Sequence, residues 1–208
     1  SYNIVVPDGT YSLSLIKTTI NNLFYHFNDD VLNPLRCVVF DTNLVSKSAK
    51  NKLKKINPNT IIKSYNLRIN KTNIKKIIKK YDHIVDGSDN FKTKFLLNDY
   101  SLKLNKFLVV GAISKFDGHL FTYDFKNKKI PCLRCFFQED KISDDILNCE
   151  YEGVLGTVAG ILGTLQANEV LKQILNIGQN LDGKILILDL LNLSFRKAKI
   201  TKKKKCIC

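Results

Sequence analysis

The stretch from His83 to Asp99, H-I-V-D-G-S-D-N-F-K-T-K-F-L-L-N-D, constrains this chain more than any other. A short apolar run ends on the carboxylate of Asp86. Gly87-Ser88 signals a turn, a second carboxylate follows at Asp89, and an amphipathic helical pattern begins at Phe91. A buried strand that ends in such a turn delivers acidic side chains to the carboxyl edge of a parallel sheet. That edge is where open α/β sheets bind ligands. Asp89 is placed there to hold a magnesium ion or to face a nucleotide phosphate, and Asn90 or Ser88 can cap the helix. A strand, a turn and a capped helix without chemistry use the same residues, and D-x-x-D-N alone does not separate the two.

Elements on both sides extend the alternation. Residues 3–6 read as a strand, 7–10 as a turn and 11–25 as a helix. A basic helix is expected over 49–56, stopped by Asn57-Pro58-Asn59, then a strand over 60–63 and a helix over 72–80. The lysines 75, 76, 79 and 80 of that helix read as a solvated face. Strand 82–86 and helix 91–104 follow, then the fully apolar run 107–111, which suits a central parallel strand. Residues 118–125 alternate, as a strand exposed on one face does, and 138–149 read as a polar, acidic, mobile loop. A long helix is expected over 154–177, where Gly156, Gly160 and Gly163 recur at helical spacing and let one face approach another backbone or subunit closely. Strands over 184–191 and 194–200 close the chain as a hairpin. The fold class is α/β: a Rossmann-like mixed sheet with helices on both faces and antiparallel C-terminal strands. One domain over 1–208 is expected.

No apolar run in the sequence is long enough to span a membrane, and no secretory signal is visible. The net charge of +14 raises the question of nucleic acid. Lys, Asn and Ile are abundant together throughout, so an AT-rich coding bias explains the charge equally well, and a nucleic-acid partner is disfavoured. An acidic protein or ATP would also gain from the positive field. The chain has no methionine, even at position 1. It is therefore expected to be an incomplete translation product or to have a mis-assigned start.

Six cysteines, two of them in a C-x-x-C, suit a reducing, cytoplasmic setting and a metal site better than a disulfide scaffold. Cys132 and Cys135 form the C-x-x-C after Pro131, and Cys206 and Cys208 form a C-x-C. Four thiolates can enclose zinc tetrahedrally in a closed, structural site; free reduced cysteines are the other reading. Arg134 and Lys202 to Lys205 are expected to offset the negative charge of the cluster. Binding would pin the C-terminal tail to the loop after Phe125. The three histidines show no paired-ligand spacing and no Ser-His-Asp order.

Taken in order, V-D-G-S-D-N-F-x-T-x-F-L-L-N-D, L-V-V-G-A-I-S-K-F-D-G-H-L (Leu108 to Leu120), P-C-L-R-C (Pro131 to Cys135), N-C-E-Y-E-G-V-L-G (Asn148 to Gly156) and G-T-L-Q-A-N-E-V-L-K (Gly163 to Lys172) carry a resemblance. The chain resembles the ubiquitin-activating-enzyme-like adenylyltransferases of the ThiF/MoeB/HesA type. Within them it looks most like the enzymes that activate the sulfur-carrier proteins of thiamine and molybdopterin biosynthesis. The resemblance is strong from about Ile56 to Cys206.

What the resemblance implies is a homodimer using ATP, magnesium and structural zinc, with a small ubiquitin-like sulfur carrier as partner. Residues 1–125 would form the nucleotide-binding half and 126–208 the zinc-binding and carrier-docking half. Asp89 would hold magnesium. Of the family's glycine-rich loop only Gly9 remains. Asp29 or Asp30 matches the acidic strand end that holds the ribose. Asn33-Pro34-Leu35-Arg36-Cys37 is similar to a worn S-N-L-x-R-Q, in which Asn33 and Arg36 keep the asparagine and the phosphate-binding arginine, and Cys37 replaces the glutamine. Lys47 takes the place of the phosphate-binding lysine if a small gap is allowed. Lys94 stands where the family usually has arginine and keeps the charge without the planar fork. Cys149 falls in the loop that crosses the family's active site, where some members form a covalent intermediate. The family's second cysteine pair is normally C-x-x-C, so the C-x-C here implies a missing residue or an early chain end. The worn glycine loop leaves a second class open, a non-catalytic relative that keeps carrier docking. An ordinary dinucleotide oxidoreductase is disfavoured by the missing G-x-G-x-x-G.

Overall fold

A computed structural model describes residues 67–137 and 155–208 apart from Asp89 and Lys205, the backbone of Cys37–Phe40, and the isolated positions Asn51, Lys55, Lys63 and Tyr65. Among these residues a mixed sheet runs in the order β1 (Cys37–Phe40), β2 (His83–Asp86), β3 (Phe107–Ser114), β4 (Asp117–Asp124), β5 (Lys184–Asp189) and β6 (Ser194–Lys199). The first three strands are parallel, with Val85 beside Val109 and Asp86 beside Val110. The β3–β4, β4–β5 and β5–β6 pairs are antiparallel. The helices are α1 (Ile74–Ile78), α2 (Phe91–Lys103), α3 (Leu133–Phe136) and α4 (Gly156–Leu175).

Strand periodicity explains how the sheet is covered. Successive side chains point to opposite faces, so Leu108 and Val110 of β3 enter one core while Phe107 and Val109 enter another. The first core joins Ile84, Phe121 and Tyr123 to Ile74, Ile77 and Ile78 of α1, Phe95 and Leu97 of α2, and Leu133 of α3. On the second face Val85, Leu120 and Leu188 pack on Ala159, Leu162, Ala167 and Val170 of α4. Helices therefore cover both faces of the central strands, which is why β3 is apolar without interruption from Phe107 to Ile113.

Several boundaries differ from expectation. The helix expected over 72–80 is only Ile74–Ile78, and the lysines at 75, 76, 79 and 80 are exposed as a solvated face requires. Strand β3 continues three residues past Gly111, because β4 pairs with it along its whole length. Strand β4 is not exposed on one face: Leu120, Phe121, Thr122 and Tyr123 are all buried, since α4 covers one side and the segment around Leu133 the other. Cys37, the last residue of the worn S-N-L-x-R-Q segment, opens β1, in keeping with the β-branched Val38 and Val39 that follow it. Gly156 does not approach another backbone within this chain: a Cβ there would meet nothing within 4 Å. Asn51 and Lys55 are helical, as a basic helix there requires; of the strand expected over 60–63 only Lys63 is described, exposed and not in a strand, and the elements expected over 3–25 and the loop over 138–149 lie outside the described residues. Among the described residues no helix is long and apolar enough to cross a membrane.

Candidate functional site

Two sites emerge from the described residues. The first lies where β2 ends. Asp86 is its last residue and is fully buried. Its Oδ1 accepts the Ser88 backbone N–H at 2.9 Å and the Ser88 hydroxyl at 2.6 Å, an Asx turn that closes the chain on itself. Its Oδ2 accepts the Lys94 ammonium at 3.0 Å. Lys94 Nζ also donates to the Gly111 carbonyl of β3 at 2.7 Å. The backbone oxygen of Asp86 accepts Nε2 of Gln166 from α4 at 2.8 Å. Two charges out of water are costly unless paired and hydrogen-bonded, and here the two satisfy each other. Asn90 begins α2 as its cap, its Oδ1 accepting the Thr93 N–H at 2.8 Å; Ser88 is committed to Asp86 instead. Gly111 has to be glycine, because a Cβ there would lie 2.8 Å from Gln166 Nε2.

The second site is sulfur. The Sγ atoms of Cys132, Cys135, Cys206 and Cys208 all lie within 4.8 Å of one another, and none is in a disulfide. Cys132 and Cys206 approach to 3.5 Å, Cys135 and Cys208 to 3.4 Å. A tetrahedral four-sulfur zinc site has Zn–S bonds of about 2.3 Å, hence sulfurs about 3.8 Å apart, so the donor set and the spacing fit such an ion. The C-x-C supplies both its sulfurs despite the shorter loop. Burial pushes the Cys132 thiol well up, reinforced by its bond to Cys206 and the adjacent thiolates, and pushes Cys208 up to about 11. Burial opposes ionisation of Cys206 too, yet hydrogen bonds from the Cys208 backbone and neighbouring thiols leave it below its ordinary value. Four crowded thiols resist sharing negative charge; a cation among them removes that resistance.

Neighbouring contacts hold this cluster in place. Asn98 Oδ1 of α2 accepts the Leu133 N–H at 2.9 Å, and Asp99 takes Arg134 through Nε at 2.7 Å and Nη2 at 2.8 Å. The guanidinium lies 4.5 Å over the Phe95 ring. Arg134, expected to offset thiolate charge, is thus engaged by Asp99 and clamps the C-x-x-C turn to α2. Lys202 and Lys203, given the same role, donate to the carbonyls of Lys128 and Arg134; Lys205 lies outside the described residues. Gly183, at φ +77°, leaves only 3.0 Å between a would-be Cβ and Pro131, and its carbonyl accepts the Ile200 N–H at 2.8 Å where the tail begins.

The structure thus brings the four cysteines together from two distant stretches. Gly9, Asp29, Asp30, Asn33, Arg36, Lys47, Asp89 and Cys149 lie outside the described residues. Lys94, Gln166 and Asn98 are the residues that sequence reasoning under-read. Their signal was present: Phe91, Lys94, Phe95 and Asn98 follow one helical stripe, as do Leu162, Gln166 and Val170. A polar residue on an otherwise apolar stripe is either satisfied inside or misplaced.

Comparison with known proteins gives a consistent picture. A family model described as the ThiF family matches residues 33–208. A probable molybdopterin-synthase adenylyltransferase from Pyropia yezoensis is 38% identical over 176 residues, covering 82% of this chain and 46% of its own. A sulfur carrier protein adenylyltransferase from Thermus thermophilus is 35% identical over 184 residues, covering 85% of this chain and 68% of its own. The chain thus spans about half to two thirds of the length of these relatives. Among solved structures, E. coli MccB with ATP superposes with a TM-score of 0.72 at 15% identity, covering 99% of this chain and 66% of that one; at that identity the likeness speaks for the fold.

Proposed function

The chain belongs to the ThiF family, and from that premise we propose that it is an adenylyltransferase activating the C-terminal carboxylate of a small ubiquitin-like sulfur carrier. A carboxylate oxygen of the carrier attacks the α-phosphorus of ATP. The bond from that phosphorus to the bridging oxygen breaks, and pyrophosphate leaves with the electron pair. Sulfide-level sulfur (HS⁻) then attacks the acyl carbon, the bond from that carbon to the AMP oxygen breaks, and AMP leaves, giving the thiocarboxylate. The observation that carries the reading is the buried Asp86–Lys94 junction at the end of β2, which holds a carboxylate-bearing turn at the ligand-binding edge of a sheet of this family.

In this reading Asp89 serves the magnesium that accompanies ATP, and that ion, when bound, neutralises phosphate charge. Arg36 and Lys47 add fixed positive charge where it develops in the transition state. Gly9, Asn33 and either Asp29 or Asp30 contact the nucleotide, and Cys149 is available for a covalent sulfur step. Cys132, Cys135, Cys206 and Cys208 hold one zinc, a closed site with no position left for substrate. The working unit is a homodimer in the cytoplasm, residues 1–125 handling nucleotide and 126–208 zinc and carrier, in thiamine or molybdopterin biosynthesis. Both sequence relatives compared above carry the name adenylyltransferase, which favours the catalytic reading over the non-catalytic alternative. Carrier-dependent exchange of labelled pyrophosphate into ATP tests the proposal: exchange that needs the carrier is expected, and its absence with metal-replete protein overturns it.

A further inference from the structure

We infer that Lys94 is the positioning residue of the β2–α2 turn: its buried ammonium locks that turn onto the end of β3, and its counter-charge Asp86 is a structural carboxylate rather than a ligand. This rests on the reading that the turn handles nucleotide and metal, and it assigns a division of labour within it.

The argument starts from donor and acceptor counts. Both carboxylate oxygens of Asp86 are committed, Oδ1 to two donors of Ser88 and Oδ2 to Lys94 at 3.0 Å. The residue is fully buried. A metal at Asp86 would have to reach a fully buried carboxylate and sit beside the Lys94 ammonium, where two cations repel each other. Asp86 is therefore a strut. Asp89 lies three residues on, between that strut and the Asn90 cap of α2. The chain on both sides of Asp89 is thus tied down, by Ser88 to Asp86 and by Asn90 to Thr93.

Lys94 is what ties the strut to the sheet. It reaches back from the first turn of α2, spans Asp86 and the Gly111 carbonyl at 2.7 Å, and so fixes the separation of β2 from β3 at the ligand edge. Gln166 adds α4 to the same point through the Asp86 carbonyl, and Gly111 supplies the room for it. A buried ion pair is weak evidence for stability, because well-packed apolar residues often serve as well. What an ion pair gives that apolar packing does not is a unique geometry: the ammonium tolerates only positions that satisfy both oxygens at once. Helix α2 and strands β2 and β3 meet at this one nitrogen, and helix α4 joins them at the Asp86 backbone carbonyl.

The test uses the full metal-replete chain and Lys94→Met, which keeps length and apolar bulk while removing the charge. Amide hydrogen exchange followed by mass spectrometry reads the turn without reference to activity. In Lys94→Met, peptides spanning 87–93 should lose protection while those of β5–β6 stay as in the unmodified chain. In carrier-dependent pyrophosphate exchange, kcat should fall on the order of 100-fold, the scale expected when a reacting group is displaced by about 1 Å. The magnesium requirement should rise and the KM for the carrier should stay unchanged. Ser88→Ala, which removes one bond of the same turn, should shift the same readouts less, and decides the matter if Lys94→Met does not fold. Ile78→Val, a core truncation on α1, should lower the melting temperature without touching kcat. Unchanged protection of 87–93 in Lys94→Met, or a loss of activity matched by Ile78→Val at equal destabilisation, overturns the assignment. An unmodified chain without any exchange activity overturns the adenylation reading instead, and turn protection still decides whether Lys94 holds the turn.

Discussion

Gly111→Ala adds one methyl group at the most crowded point of the candidate site. The new Cβ would stand 2.8 Å from Gln166 Nε2, 2.9 Å from Cδ and 3.2 Å from Oε1. Contacts under 3.0 Å require movement, and the atom met is the working end of a fully buried side chain. Gln166 can retreat only by stretching its 2.8 Å bond to the Asp86 carbonyl. Overpacking costs about 1–3 kcal/mol, and a buried carbonyl deprived of its donor costs about 1–3 kcal/mol more. The lower chain entropy of alanine in the unfolded state returns about 0.4–1 kcal/mol. The net expectation is a loss of about 1–6 kcal/mol, centred on about 3, read as a lower urea midpoint and, at that centre, a melting temperature reduced by roughly 6–12 °C for a chain of this size. Gly118→Ala is the control, since its Cβ would meet nothing nearer than 3.5 Å, ordinary contact with Leu188; it should stay within about 1 kcal/mol of the unmodified chain. Gln166→Ala removes the obstacle, so the double variant should be less destabilised than the sum of the singles by about 1–2 kcal/mol. A neutral Gly111→Ala, or additive singles, would refute the account of why this position is glycine.

Three further outcomes are expected. Elemental analysis should find close to one zinc per protomer, and Cys132→Ser should abolish it and lower the melting temperature; protein purified without chelator that carries no zinc would end the four-cysteine assignment. Asp89→Ala should eliminate pyrophosphate exchange while carrier binding, measured by calorimetry, is retained; equal exchange in the variant would show that another group serves the metal. Burial raises Asp182 above its ordinary value of 3.8, and the nearby Asp124 charge adds to this against the bond from the Asp124 backbone. A carboxyl shifted upward favours the folded state below 3.8 and loses that contribution as pH climbs through the folded value. Asp182→Asn, which keeps the acceptor for the Asp124 N–H, should therefore melt higher than the unmodified chain at about pH 7 and lose its advantage below 3.8; a variant no more stable at neutral pH contradicts the shift.

Much of the core was legible in the sequence. The run 107–111 was apolar at every step, and a strand covered on both sides needs that pattern, so β3 was readable before its neighbours were known. The hairpin of β5 and β6 and the long α4 followed from local periodicity. Strand β4 was harder, because Thr122 made it look alternating; its hydroxyl is in fact taken up by the Leu181 and Asp182 N–H groups. A polar residue satisfied by a loop some 60 positions away in sequence leaves no local trace.

The candidate site divides along the same line. Local order along the chain fixed the identity and spacing of the cysteine pairs, the Asp86 turn and the Asn90 cap, since these depend on residues within a few positions of one another. Tertiary structure alone decided that Cys132 and Cys135 meet Cys206 and Cys208, because that juxtaposition depends on β4, β5 and β6 pairing in register and on Gly183 letting Pro131 pack closely. It also decided that Arg134 belongs to Asp99, and that Lys94 is an internal ion rather than a surface charge. A side chain's charge is written in the sequence; whether it meets water or a counter-charge depends on which distant elements the hydrophobic faces bring against it, and that is settled only when both cores close.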